Sequence, residues 1–183
     1  MERKYELLTD DTIMVSGHKL FRICASISFN NIEAGEKGGY IESEKNLAHE
    51  RDAWISGSAQ VSGNAQVTGN AHVTGNAWVF GNAQIDGNAQ VSCNARVIGN
   101  AQINGDARVS SDTHYLCISP IGSRNDAITF TRTKEHKIAV AVGCFRGDID
   151  QFEAQVKATH GENEHAKTYM LAARLARTRI DLS

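Results

Sequence analysis

Residues 53–112 run AWISGS AQVSGN AQVTGN AHVTGN AWVFGN AQIDGN AQVSCN ARVIGN AQINGD ARVSSD. Alanine opens every block, from Ala53 to Ala107. Valine or isoleucine follows two places on, from Ile55 to Val109. Two places further stands glycine, with Cys93 and Ser111 as the exceptions. The closing position is asparagine from Asn64 to Asn100, with Ser58 before that run and Asp106 and Asp112 after it. In an extended chain, residues two apart share a side, so the alanine and the aliphatic of each block point the same way. The Gly-Asn step supplies residues that tolerate positive φ, as a sharp corner requires. No helix or heptad repeats every six residues. The physical solution is a solenoid in which each block forms one side of a coil and coils stack by parallel pairing at about 4.8 Å. Inward alanines and aliphatics then form a thin, continuous core, and the fold class is mainly β.

The composition agrees with one compact domain or two small ones. The chain has 183 residues, a formal net charge of −2 and 22% charged residues, which excludes a disordered chain. A near-neutral charge also argues against a protein that coats nucleic acid. No apolar run approaches the roughly 20 residues that span a bilayer. Met1-Glu2-Arg3-Lys4-Tyr5 lacks the apolar core of a secretory signal, so a bacterial cytoplasm is the expected compartment. Cys24, Cys93, Cys117 and Cys144 are scattered with no C-x-x-C pair, so reduced thiols are expected and a zinc site is not. No cofactor is expected.

The repeat resembles the hexapeptide repeats of left-handed β-helix proteins. Val61-Ser62-Gly63-Asn64-Ala65-Gln66 carries that family's aliphatic and, four positions on, its small residue. The departure is glycine two places after the aliphatic, where the family often has it one place after. The resemblance covers the repeat alone, and it implies left-handed winding, three hexads per triangular coil and trimers packed through helix sides. Just upstream, Gly38-Gly39-Tyr40-Ile41-Glu42-Ser43, Asn46-Leu47 and Trp54-Ile55 resemble uncharacterised members encoded by phages and prophages.

With three blocks per coil, residues 18 apart stack on one face. One face carries Gln66, Thr68, Gln84, Asp86, Gln102 and Asn104 and is polar throughout. A second carries His72, Gln90 and Arg108, with Trp54 left for the N-terminal segment to cover. The third differs: Gln60 and Ser62 are followed by Trp78 and Phe80, then Arg96 and Ile98. Extending the register one block further, through 113–118, adds His114 and Leu116 to this face. The result is an apolar stripe edged by Arg96 and His114, of the kind that marks a contact. Either the C-terminal segment covers it or it is a subunit interface; the family resemblance favours the interface, and Trp and Arg are typical anchors.

The expected division is an N-terminal β cap over 1–52, the β-helix over 53–118 and a C-terminal α+β segment over 119–183. In the first, Tyr5–Leu8, Thr12–Ser16 and Leu20–Phe29 read as strands. In the last, Ala127–Thr133 and Lys137–Gly143 alternate as strands. Asp148 with Gln151 reads as a capping box for a helix to about His160, and a second helix runs from about Asn163 to Arg179.

Catalytic signals are sparse. Hexapeptide transferases place a catalytic histidine near a subunit boundary, often beside a loop extruded from a coil; blocks 53–112 have no such insertion. For His72 and His114, no neighbour in sequence is an obvious orienting carboxylate for a general base. His160 and His165 lie in the inter-helix turn, away from any coil, so a zinc set like that of the related carbonic anhydrases is not expected. Weak anion-binding candidates are Ser123 and Arg124 in a donor-rich turn, and Arg146 between a strand and a helix start. The sequence therefore leads to a non-catalytic binding or scaffold protein, a homotrimer, with a host protein, a nucleotide signal or another small anionic ligand as partner. A phage accessory role follows from the resemblance. A transferase acting at subunit boundaries is the alternative.

Overall fold

A computed structural model describes residues 3–183. Strands β1 (Tyr5–Val15), β2 (His18–Ala25) and β3 (Lys37–Ile41) precede the repeat. Each block then contributes one two-residue strand: β4 (Trp54–Ile55), β5 (Gln60–Val61), β6 (Gln66–Val67), β7 (His72–Val73), β8 (Trp78–Val79), β9 (Gln84–Ile85), β10 (Gln90–Val91), β11 (Arg96–Val97), β12 (Gln102–Ile103) and β13 (Arg108–Val109). Between strands the repeat glycines turn the corner at φ between +61° and +82°. Cys93 makes the same corner at φ +57° without glycine's freedom. Ser111 does not: its φ is −148°, and it caps a 3-10 turn over Asp112–His114.

The strands stack in parallel on three sides, β4-β7-β10-β13, β6-β9-β12 and β5-β8-β11, each residue paired with the one 18 positions away. The inward alanines and aliphatics are at most 1% exposed from Ala53 to Val109. At the corners, side-chain amides form ladders: Asn64 donates to Asn82 and Asn82 to Asn100, while Asn70 donates to Asn88 and Asn88 to Asp106. The molecule is thus a three-sided β-solenoid of about four turns.

Its first turn starts before the repeat does. Tyr40-Ile41 pairs in parallel with Gln60-Val61, and Leu47 bridges to Val67. Both offsets are 20 residues, because the connection through 48–53 is two residues longer than a regular corner. Gly38 and Gly39 permit this start: a Cβ on either would lie 2.5–2.6 Å from the carbonyl oxygens of Ile55 and Ala59. So residues within 1–52 that read as a cap supply two sides of a coil. The rest of that segment is a hairpin, β1 and β2, joined by Ser16-Gly17 at positive φ and added to the edge of β3. Thr9-Asp10-Asp11 does not break β1; a register shift between Leu8 and Thr12 absorbs it.

Trp54 is covered as the sequence suggests. It is 1% exposed, edge-on to Tyr5 and Phe29, while His49 stacks on Tyr5 at 4.3 Å. Lys4 is buried beside them, donates to the Ala53 carbonyl at 2.7 Å and lies over the Phe29 ring. Burial lowers its pKa to about 8.

The C-terminal segment is a meander, β14 (Tyr115–Ile121), β15 (Asp126–Arg132), β16 (Ile138–Val142) and β17 (Phe145–Asp148), followed by helices α1 (Ile149–His160) and α2 (Glu164–Arg179). Asp148 and Gln151 form the expected capping box, and Asn163 caps α2. The sheet lies between solenoid and helices. Tyr115 and Cys117 pack against the solenoid core, whereas Leu116, Ile118, Ile128 and Phe130 join α1 and α2 in a second core. Thr129, 1% exposed, accepts the Gln102 amide through its hydroxyl and so closes an open solenoid edge. Among the described residues, no helix is long and apolar enough to cross a membrane.

Candidate functional site

The third face gathers most of the residues that the sequence singles out. Parallel pairing puts Gln60, Trp78 and Arg96 in one outward column. The Trp78 indole N–H donates to the Gln60 side-chain oxygen, and the Arg96 guanidinium lies 5.3 Å from the Trp78 ring centroid. The adjoining column holds Ser62, Phe80 and Ile98, with Phe80 edge-on to Trp78 at 6.0 Å. Phe80 is 36% exposed and Ile98 45%.

Two clefts flank this pair. On the N-terminal side the tip of the β1–β2 hairpin, Val15 to His18, overhangs the face and encloses about 290 Å³ with Gln60, Trp78 and Phe80. His18 is held there by Glu42 at 3.0 Å, and this contact, followed by the Gly63 amide that Glu42 accepts, keeps the Glu42 carboxyl below the usual range. On the C-terminal side, Phe80, Arg96, Ile98, Tyr115, Leu116 and Arg179 line about 690 Å³. Phe80 belongs to both clefts.

His114 does not join the stripe. The missing glycine at Ser111 ends the hexad register, and the 3-10 turn carries His114 inward to 7% exposure. Its Nε2 accepts from the Arg132 guanidinium at 3.1 Å, so Nδ1 carries the proton and faces the Ser110 hydroxyl oxygen at 3.2 Å. Burial, then the Arg132 charge, lowers its pKa. Leu116 is half-buried on the helix side of the meander yet reaches the second cleft. The edge of β11, where a further rung would pair, is instead filled by side chains: Asp112 accepts the Arg96 amide at 2.8 Å, and the Tyr115 hydroxyl donates to the Arg96 carbonyl at 2.7 Å.

The anion candidates separate. Ser123 and Arg124 stand in the β14–β15 turn at the mouth of a third cleft, with Cys144 and Phe145 opposite. Arg146 lies outside it. Its guanidinium donates to the Gly143 and Phe145 carbonyls and to the Gln102 side chain, bracing β17 against the polar face of the solenoid. The stretch around it is strand β17, not a loop before a helix. His72 is half-buried with a lowered pKa from burial and, among the described residues, forms no hydrogen bond to an orienting carboxylate. Among the described residues no group of three His, Cys, Asp or Glu is placed to hold a metal ion.

Sequence reasoning finds the stripe but misses what frames it. The hairpin tip reaches the face only through the pairing of β2 with β3, a non-local contact with no periodic signal. The register break at Ser111 was visible as a lost corner glycine. No protein-family model matches this chain, and no curated protein matches it either.

Proposed function

We propose that this protein is a non-catalytic, self-associating binding protein, a homotrimer whose shafts pack through the third face. One observation carries this reading: a single chain leaves Phe80 and Ile98 exposed side by side, with a cleft on each flank, on a solenoid whose other faces are polar or covered. Burying what remains exposed of that pair contributes roughly 0.5–1.4 kcal/mol per side chain, and the Arg96–Trp78 stack provides an anchor of the type that dominates such interfaces. The assembled shaft would present a composite surface to a partner. The phage-like motif through 38–55 supports an accessory role during infection, with a host protein or a nucleotide signal bound there.

Sedimentation equilibrium tests the association. The wild type sediments as a trimer. Phe80→Asp with Ile98→Asp sediments as a monomer with an unchanged far-ultraviolet circular dichroism spectrum, because both side chains already face solvent within one chain. A wild type that stays monomeric up to millimolar concentration overturns the reading.

A further inference from the structure

The third cleft lies in the C-terminal layer, away from the third face, and encloses about 300 Å³. The β14–β15 turn, the β16–β17 turn and the facing helices meet at one end of the meander. Its inner wall is aromatic: Phe145 and Phe152 are 5.6 Å apart, and Phe152 meets Tyr169 edge-on at 5.7 Å. Its mouth is polar and holds charges of both signs. Arg124 and Asp126 stand two residues apart on the same turn, yet they pair neither with each other nor with any other charged group among the described residues. One carboxylate oxygen of Asp126 accepts its neighbouring Ala127 amide at 3.3 Å; the other faces Gly143 across the mouth. Gly122 lets Tyr169 come this close to the turn, since any Cβ there would collide with the phenol ring. Asp126 and Arg124 both act on the Tyr169 hydroxyl, raising and lowering its pKa respectively after burial raises it, so all three groups border one space.

We propose that this cleft binds a small zwitterion with an apolar side chain, a free aromatic or branched aliphatic amino acid. Arg124 receives the carboxylate, Asp126 the ammonium, and Phe145 and Phe152 the side chain. The carboxylate and the ammonium of such a ligand are attached to one carbon, which matches one cation and one anion two residues apart on one turn. The volume is at the lower end of the range for small-molecule sites. This site is independent of self-association and of the third face.

Isothermal titration of the full chain with L-phenylalanine and L-leucine tests it, with 3-phenylpropionate and phenethylamine as probes lacking one charge each. Saturable binding of an amino acid is expected, with each single-charge probe at least about tenfold weaker, as a lost charge-assisted hydrogen bond implies. Arg124→Gln and Asp126→Asn, both at exposed positions, should each weaken phenylalanine by a similar factor. Cys144→Trp, which fills the mouth, should abolish binding while leaving the circular dichroism spectrum intact. Bound amino acid should also slow alkylation of Cys144 but not of Cys93. No saturation by either amino acid at about 10 mM, single-charge probes binding as well as phenylalanine, or full binding by Cys144→Trp would each overturn the proposal.

Discussion

The third face and the glutamine face of the solenoid share one backbone. Both stack two-residue strands at the same 18-residue offset, turn at glycine corners and bury an alanine and an aliphatic per block. Within the repeat they differ in their outward residues: Gln66, Gln84 and Gln102 on one, Gln60, Trp78 and Arg96 on the other, with Phe80 and Ile98 beside them. The difference teaches where this molecule stores its architecture and where it stores recognition. Inward positions and corners specify the coil, and they are uniform. Outward positions cost the coil little, so they are free to differ from face to face.

Charging the core should erase the comparison altogether. Val79→Asp beneath the third face and Ile85→Asp beneath the glutamine face each bury an unpaired carboxylate, at a cost above about 4 kcal/mol. Thermal melts followed by circular dichroism should show both unfolded or nearly so. An outward charge such as Gln84→Asp should leave the melt within about 0.5 kcal/mol of wild type.

Corners should be the next most sensitive. Gly81→Val places a branched side chain at φ +82°, with its Cβ 3.1 Å from the Gly99 backbone; a loss of about 2 kcal/mol or more is expected in chemical denaturation. The converse change, Cys93→Gly, relieves a strained corner and should raise stability by about 1 kcal/mol. A Cys93→Gly variant less stable than wild type would show that corner strain does not set the coil's geometry.

How much of this was legible follows from which forces are local. The hexad places every inward side chain and every corner, because both are written within six residues. The helices and their caps were legible for the same reason: Asp148 with Gln151, and Asn163, act over one turn. The first coil was hidden by the longer connection through 48–53, which shifts Tyr40-Ile41 and Leu47 out of phase with the repeat. His114 departs from the hexad register because Ser111, a serine that caps a turn, replaces the corner glycine. Among the site residues, Trp78, Phe80, Arg96 and Ile98 were readable from the 18-residue spacing. The hairpin tip over that face, and the separation of Arg146 from Ser123 and Arg124, depend on long-range pairing that leaves no local trace.

Smaller effects sharpen the picture at the C-terminal edge of the third face. Tyr115→Phe removes the hydroxyl that occupies the Arg96 carbonyl, and should cost about 1 kcal/mol in denaturant titration. If stability were unchanged, the β11 edge would not depend on this side chain. The pH dependence is gentler still. His49, His72 and His114 all have pKa values lowered, first by burial. The unfolded chain therefore takes up protons first as pH falls below about 6.5. The stability these neutral rings contribute is fully present above that value and is lost towards their folded pKa values, at no more than about 1.4 kcal/mol per pH unit for each group. His114→Gln should make the acid limb shallower in melts between pH 7 and 5; an unchanged limb would remove His114 from the account.

The central claim, that the two faces differ in what covers them, is tested most directly by labelling. In a Cys93→Gly, Cys144→Ser background, Ile98→Cys and Gln84→Cys each place one thiol on an outward position. The account predicts that Gln84→Cys reacts with maleimide at the same rate at every protein concentration, while Ile98→Cys becomes protected as concentration rises and reactive again on dilution. Equal, concentration-independent rates at both positions would contradict it.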